Sequence, residues 1–379
     1  MNKDFMAVFD ITDTDSRKTW TQLITTLASL GFAVGCLTTG PLVVIGKKNC
    51  IHLANLVLII GCSLTLVQVK EVVAVGRFLF GLAGGSFTVF VPSFINELTP
   101  NELKGPFGSA TQILITLGIL IANLLGIPMP ECYKGEAVGD GDCKEGFNLY
   151  KPGFIGDDYW RLLFALPIAL AVIQSLLLLF VFNYETPKFL KQQGREAELS
   201  TIMGKIYSSD QVAARIKSIV VTKGAASPSY GETLTSPKYR IATLMGCLLS
   251  FLQQATGINI VMFYSSIIMS STGLNPNIIT ALVGFVNCVS VFPTIWLFGK
   301  YGRKGLLWTL SFAIAGCLIA LGVCQRVNDA EENHTAQSLS IVFLMLFILF
   351  FEFSLGPLLW IYLSEITTEK GLSLGVGVN

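Results

Sequence analysis

Nine apolar stretches, at 20–45, 52–69, 72–95, 106–128, 160–182, 239–270, 278–298, 306–324 and 339–363, alternate along the chain with polar connections. At 1.5 Å rise per residue, about 20 apolar residues cross ~30 Å of hydrocarbon. The pattern therefore predicts an all-α chain of membrane-spanning helices embedded in a lipid bilayer. Most connections are short, which makes consecutive helices antiparallel neighbours. Two segments are too long for turns. One, 129–159, is acidic and glycine-rich; the other, 183–238, carries helical patches such as the stretch from Phe189 to Ile206.

Composition sharpens this picture. Of 379 residues, 52% are apolar and only 13% charged, whereas soluble domains carry about 25% charge. That excludes a soluble enzyme and a nucleic-acid-binding module. A net charge of +1 implies no strongly charged partner. With His52 and His334 the only histidines, no metal site is argued, and no cofactor is expected.

Lysine and arginine placement sets the orientation. If the loop at 46–51 is cytoplasmic, that side gathers Lys47, Lys48, Lys104, the nine basic residues of 183–240, Lys300, Arg303, Lys304 and Lys370. The opposite side holds nine. The segment 1–19 then lies outside, as does 129–159. Two details agree: Asn333 heads an N-x-Thr sequon in an outer loop, and Cys132 and Cys143 share the acidic outer loop. An oxidising milieu permits a disulfide between them, although loop cysteines also stay free.

An internal echo organises the chain. Ile45-Gly46-Lys47-Lys48 is answered 256 residues later by Tyr301-Gly302-Arg303-Lys304. Asn96-Glu97-Leu98-Thr99 is answered 268 residues later by Ser364-Glu365-Ile366-Thr367. Each echo is six helices away, as two six-helix halves joined by 183–238 would give.

Transporters place solute contacts on broken helices near the midplane. The sixth span reads Gln253-Gln254-Ala255-Thr256-Gly257-Ile258-Asn259. On a straight helix Gln254 and Asn259 point some 140° apart. Converging on one site needs an unwinding, which Gly257 permits. Amides both donate and accept, which suits an uncharged polyhydroxylated solute; the alternative is helix–helix polar bonding. Gln112 and Asn287 are further amides in spans, each open to either reading. In the last span Glu352 precedes Gly356-Pro357 and Trp360. Pro357 leaves the Phe353 carbonyl without its donor, so the helix hinges there. Trp360 beside that hinge can stack on a sugar ring or serve as a belt residue. Phe263 and Tyr264 can close over a solute or simply pack. Glu97, Lys104, Glu185, Lys188, Arg303, Lys304 and Glu365 form a charge network at the cytoplasmic helix ends. As a group it can bias one face closed, since a two-state carrier needs only a few kcal/mol.

These residues, in this order, resemble the sugar-porter (GLUT-like) branch of the major facilitator superfamily. The matching pieces are Gly76-Arg77-Phe78, Pro92 to Glu97, Gly108 to Gln112, Trp160-Arg161 and Glu185-Thr186-Pro187-Lys188-Phe189-Leu190. Further on come Gln253-Gln254 to Asn259, Gly302-Arg303-Lys304 and Gly356-Pro357 to Glu365. Leu248-Leu249-Ser250 and Trp360-Ile361-Tyr362-Leu363 look most similar to hexose transporters of apicomplexan parasites. The resemblance implies a hexose site lined by Gln112, Gln253, Gln254, Asn259, Asn287 and Trp360, to which Glu352, an acidic residue deep in a span, is added, and an outer gate of Phe263 and Tyr264.

Three departures matter. Lys47-Lys48 replaces a family Arg-Arg, and Lys is the poorer bidentate partner; Val43 replaces a polar residue. Ser250-Phe251-Leu252 stands where glucose-preferring members have Gln-Leu-Ser, leaving fructose open. The nine spans match helices 2–10 of a twelve-helix fold, so the expectation is an incomplete major facilitator protein that does not transport by itself. It would comprise an extracellular segment 1–19, an N-terminal half 20–182 with five spans, a cytoplasmic helical linker 183–238 and a C-terminal half 239–379 with four.

The expected function is facilitative hexose transport by rocker-switch alternating access, with no covalent chemistry and thus no enzyme. The plasma membrane is the expected location. The alternatives are a proton-coupled sugar symporter, for which Glu352 is the acidic residue deep in a span, and a non-transporting truncated form or sugar sensor.

Overall fold

The computed structural model describes residues 14–100, 103–128, 154, 158–219, 229–268, 276–301, 303–331 and 334–378. Among these, the regular elements are helices: α1 (Thr14–Leu42), α2 (Lys47–Thr65), α3 (Lys70–Leu98), α4 (Lys104–Gly126), α5 (Tyr159–Phe180), α6 (Pro187–Gln192), α7 (Glu196–Ile206), α8 (Ser209–Ser218) and α9 (Tyr230–Thr235). The series continues with α10 (Arg240–Ala255), α11 (Ile258–Ile268), α12 (Pro276–Tyr301), α13 (Arg303–Glu331), α14 (His334–Glu352), α15 (Leu355–Ile366) and α16 (Glu369–Val378). Seven helical stretches among the described residues are long and apolar enough to cross a membrane, and Ala110–Gly126 and Ile278–Thr294 are shorter apolar helices. Together they fall on the nine predicted spans. Large side chains such as Phe180, Phe312 and Ile319 stand exposed on them. In water such a surface would be an association site; in hydrocarbon it is the ordinary outer face of a spanning helix.

The helices gather into two compact units: residues 1–17, 108–163 and 249–362 in the first, and 18–107, 164–248 and 363–379 in the second. The first has one continuous core, in which Ile258, Val283, Ile314, Leu344, Phe347 and Phe351 pack from α11 to α14.

The second unit is built on a close crossing of α1 and α3. Gly31 and Gly35 face the backbone at Phe78 and Leu82, while Gly81 and Gly85 face that at Ala28 and Phe32, with no room for a Cβ at any of the four. Two small-xxx-small pairs thus let the backbones touch, the packing device available where lipid removes the hydrophobic drive.

Linker helices α6 to α8 enclose a small core of Leu190, Leu199, Ile202 and Met203. Thr186 caps α6, its side chain accepting from the Phe189 N–H, and Pro187 occupies the first turn, where a missing donor is harmless. Ser229 and Glu232 form a reciprocal capping box on α9.

Candidate functional site

The site in the first unit is made by two helix breaks. The sixth span stops at Ala255 and restarts at Ile258, with Gly257 at φ +80°. A Cβ at that dihedral is strained, so glycine at 257 is what lets the chain turn and resume. The turn undoes the divergence expected on a straight helix: Asn259 Nδ2 donates to Gln254 Oε1 at 2.7 Å. The last span breaks likewise, α14 ending at Glu352 and α15 starting at Leu355, which is where Pro357 removes a backbone donor.

That second break gathers the other polar residues. Glu352 is 2% exposed, and its carboxylate accepts from Gln112 Nε2 at 3.2 Å and Asn287 Nδ2 at 2.8 Å. Thr294 Oγ1 donates to the Glu352 carbonyl at 3.2 Å, and Gln253 Nε2 donates to the Leu355 carbonyl at 2.8 Å. Gly356 makes the arrangement possible, because a Cβ there would collide with the Glu352 carboxylate.

Gln112, Asn287 and Gln253 are themselves buried, at 7%, 3% and 4% exposure. Yet Gln112 Oε1 and Asn287 Oδ1 are buried with no hydrogen-bond partner. Buried polar atoms are rarely left so, and two acceptors open beside one carboxylate mark a place for donors. Trp360 follows on α15, half-buried. The side chains of Phe263 and Tyr264 lie outside the described set.

In the second unit, part of the expected charge network forms. Buried Lys47 pairs with Glu97 at 2.9 Å and donates to Ser93 Oγ, and Lys188 stands 3.7 Å from the same carboxylate oxygen. Glu185 instead accepts backbone N–H groups, from Lys48 at 3.0 Å and Thr186 at 3.2 Å. Burial holds its carboxyl above the usual value, opposed by those bonds. Gly46, at φ +94°, turns the chain into α2 against this carboxylate. Lys304 is exposed on α13. The side chains of Lys104, Arg303 and Glu365 lie outside the described set, as do Cys132, Cys143 and Asn333 altogether.

Several participants were absent from the expected site and charge network, although Lys47 and Arg77 stood in motifs of the sequence. Lys47 and Ser93 complete the Glu97 cluster. Tyr230 of the linker hydrogen-bonds the Leu37 carbonyl and Ser373, and Ser373 contacts Thr39 and the Cys36 carbonyl. Arg77, within α3, places its guanidinium 5.3 Å and 5.6 Å from the rings of Phe80 and Phe164, with Nε unpartnered. An arginine inside an apolar span was the available signal for the last; a tyrosine hydroxyl in a linker carries none.

Broken spanning helices with inward amides define a polytopic all-α membrane protein of the major facilitator fold. Among solved structures, the xylose symporter XylE bound to 6-bromo-6-deoxy-D-glucose superposes with a TM-score of 0.77 at 20% identity, covering 99% of this chain and 78% of that one. The sequence matches the profile of the sugar (and other) transporter family over residues 1–379, and the chain belongs to that family. It is 31% identical over 362 residues to hexose transporter 1 of Toxoplasma gondii, covering 93% of this chain and 62% of that protein. It is 32% identical over 347 residues to hexose transporter 1 of Plasmodium falciparum, covering 89% and 66%. The chain thus spans under two thirds of the length of these relatives, which are transporters rather than enzymes.

Proposed function

We propose that the chain forms the solute path of a hexose carrier working by alternating access in the plasma membrane, without covalent chemistry. The observation that carries this is the pair of helix breaks in the first unit, where Gln112 and Asn287 hold buried acceptors open beside Glu352. Sugar hydroxyls are the matching donors, while Gln254 and Asn259 offer a second pair of amides. Trp360 supplies a ring face, Phe263 and Tyr264 an outer gate, and the network of Glu97, Lys104, Glu185, Lys188, Arg303, Lys304 and Glu365 a cytoplasmic lock. In this reading 20–182 and 239–379 belong to two halves joined by a cytoplasmic linker at 183–238. Glucose is the proposed hexose, with fructose a second substrate.

The test is hexose binding to the purified chain. Gln254→Ala removes hydrogen bonds to a buried hydroxyl worth ~1–3 kcal/mol, which is roughly 5- to 150-fold in affinity. Unchanged affinity would return these amides to holding helices together. Topology is tested separately: with Cys132 and Cys143 replaced, an impermeant maleimide on intact cells should label Gly139→Cys and not Gly224→Cys, and the reverse would overturn the orientation.

A proton-coupled reading is favoured by one observation, a fully buried carboxylate whose described side-chain bonds come from neutral amides. Uptake of a proton from weakly buffered solution on hexose binding to the purified chain, lost in Glu352→Gln, would establish it.

A further inference from the structure

We propose that the second unit carries a separate binding site for a phosphorylated polyol, in a cavity among the end of α3, the linker helices and the α15–α16 connection. The cavity measures about 390 Å³, within the range of small-molecule pockets, and all of its described lining residues belong to the one unit. None of them comes from the helix breaks around Glu352.

Its chemistry is two-sided. Lys188 and Arg215 line it together with Glu97, Asn96, Thr367 and Thr368. Arg215 is set in place: its guanidinium lies 5.1 Å from the Tyr207 ring, and Lys191 Nζ ties the end of α8 by donating at 2.6 Å to the carbonyls of Ile216 and Ile219. A guanidinium fork is the preferred partner of a phosphate, so this side suits an anion.

The Glu97 side calls for a donor. One carboxylate oxygen already meets Lys47 and Lys188, while Oε2 is buried with no partner. A third cation beside two ammonium groups is disfavoured, whereas a neutral hydroxyl satisfies the oxygen without repulsion. A simple anion leaves Glu97 open, and an amine meets the wrong sign at Arg215. A phosphate on a hydroxylated ring fits both walls. A soluble hexose phosphate and a phosphoinositide headgroup share that chemistry. Either would bridge α3 to the linker helices and hold this face of the unit together.

The experiment is calorimetric titration of the purified chain in phosphatidylcholine nanodiscs. Glucose 6-phosphate should bind saturably, and at least tenfold more tightly than glucose or inorganic phosphate does at this site. Arg215→Gln should weaken it tenfold or more, with part of the loss recovered in Arg215→Lys. Gln254→Ala should leave it unchanged, so a failed hexose site and a failed phosphate site are told apart. If glucose 6-phosphate does not bind but phosphatidylinositol 4-phosphate in the nanodisc raises the melting temperature of the chain and not of Arg215→Gln, the lipid is the source. No effect from either probe, equal binding of inorganic phosphate, or full binding by Arg215→Gln overturns the proposal.

Discussion

Replacing Glu352 in two ways separates its hydrogen bonds from its charge. In Glu352→Ala the amides of Gln112 and Asn287 each lose the acceptor they reach at 3.2 Å and 2.8 Å. Leaving a buried donor unmade costs ~1–3 kcal/mol, so the pair should cost about 2–6 kcal/mol. That is a large share of a typical ~5–15 kcal/mol. Glu352→Gln has the same shape but replaces one acceptor by a donor. Either neighbour can absorb this by turning its amide over, because Gln112 Oε1 and Asn287 Oδ1 are both unpartnered. The number of bonds at the corner is then conserved, and the expected loss is about 1 kcal/mol, near the value of one ordinary hydrogen bond. Thermal unfolding of the purified variants in one detergent measures both. The expected order is wild type, then Gln close below it, then Ala far below. Equal loss in Gln and Ala would show that the negative charge, rather than the amide cage, holds the two helices. An Ala variant as stable as wild type would show that these contacts hold nothing.

Gly257→Ala places a Cβ at φ +80°, costing about 1–2 kcal/mol; melting and hexose affinity should fall together, and retained affinity would separate the helix break from the site. Lys47→Met strips the half-buried Glu97 of its 2.9 Å partner and leaves it Lys188 at 3.7 Å, which should cost ~1–3 kcal/mol; adding Glu97→Gln should recover part of the melting temperature, and no recovery would refute the pairing. Burial raises the Glu185 carboxyl in the folded chain, so from the unfolded value upward the folded state binds the extra proton. Stability is then greatest below the unfolded value and falls as pH rises through the folded one, and a pH series on Glu185→Gln should lose that slope.

The spans were legible because about 20 apolar residues in a row have one economical use, and the Gly257 turn was legible because Gln254 and Asn259 cannot meet on a straight helix. Pro357 announced the second break by its missing donor. The pairings around that break were not legible. Gln112 and Glu352 are 240 positions apart, and nothing local ties an amide on α4 to a carboxylate ending α14. The Glu97 cluster was found by its echo at Glu365; its buried partner is Lys47, which the sequence offered as a weaker stand-in for a family arginine and not as the partner of Glu97. Helix α16 escaped notice because it is ten residues long and carries Gly371, Gly375 and Gly377, which depress helix propensity.

Most polar residues of the first unit divide by reach, Thr294, which crosses to the Glu352 carbonyl, being an exception, and the division favours amides for the proposed site. A serine or threonine hydroxyl is short enough to return to a carbonyl of its own helix. Thr116 bonds back to Gln112 and Ile113, Ser290 to Val286 and Ser340 to Ala336. Each closes a local loop that solvates the hydroxyl without enlisting a neighbouring helix. Glutamine and asparagine carry a donor and an acceptor on a longer arm. The donors of Gln112, Asn287 and Gln253 cross to another helix's carboxylate or carbonyl, and at Gln112 and Asn287 the acceptor remains unspent. Thr243, Ser250 and Ser265 are the hydroxyls of α10 and α11 that also stay buried and unpartnered, and all three belong to the span that breaks at Gly257. Hydrocarbon penalises every open polar atom by several kcal/mol, so such atoms persist only where something other than lipid meets them. In the first unit, four of the five such atoms, on Gln112, Ser250, Ser265 and Asn287, lie on the span that breaks at Gly257 and on the two helices bonded to Glu352, with Arg161 the fifth; that is the placement the proposed solute path requires.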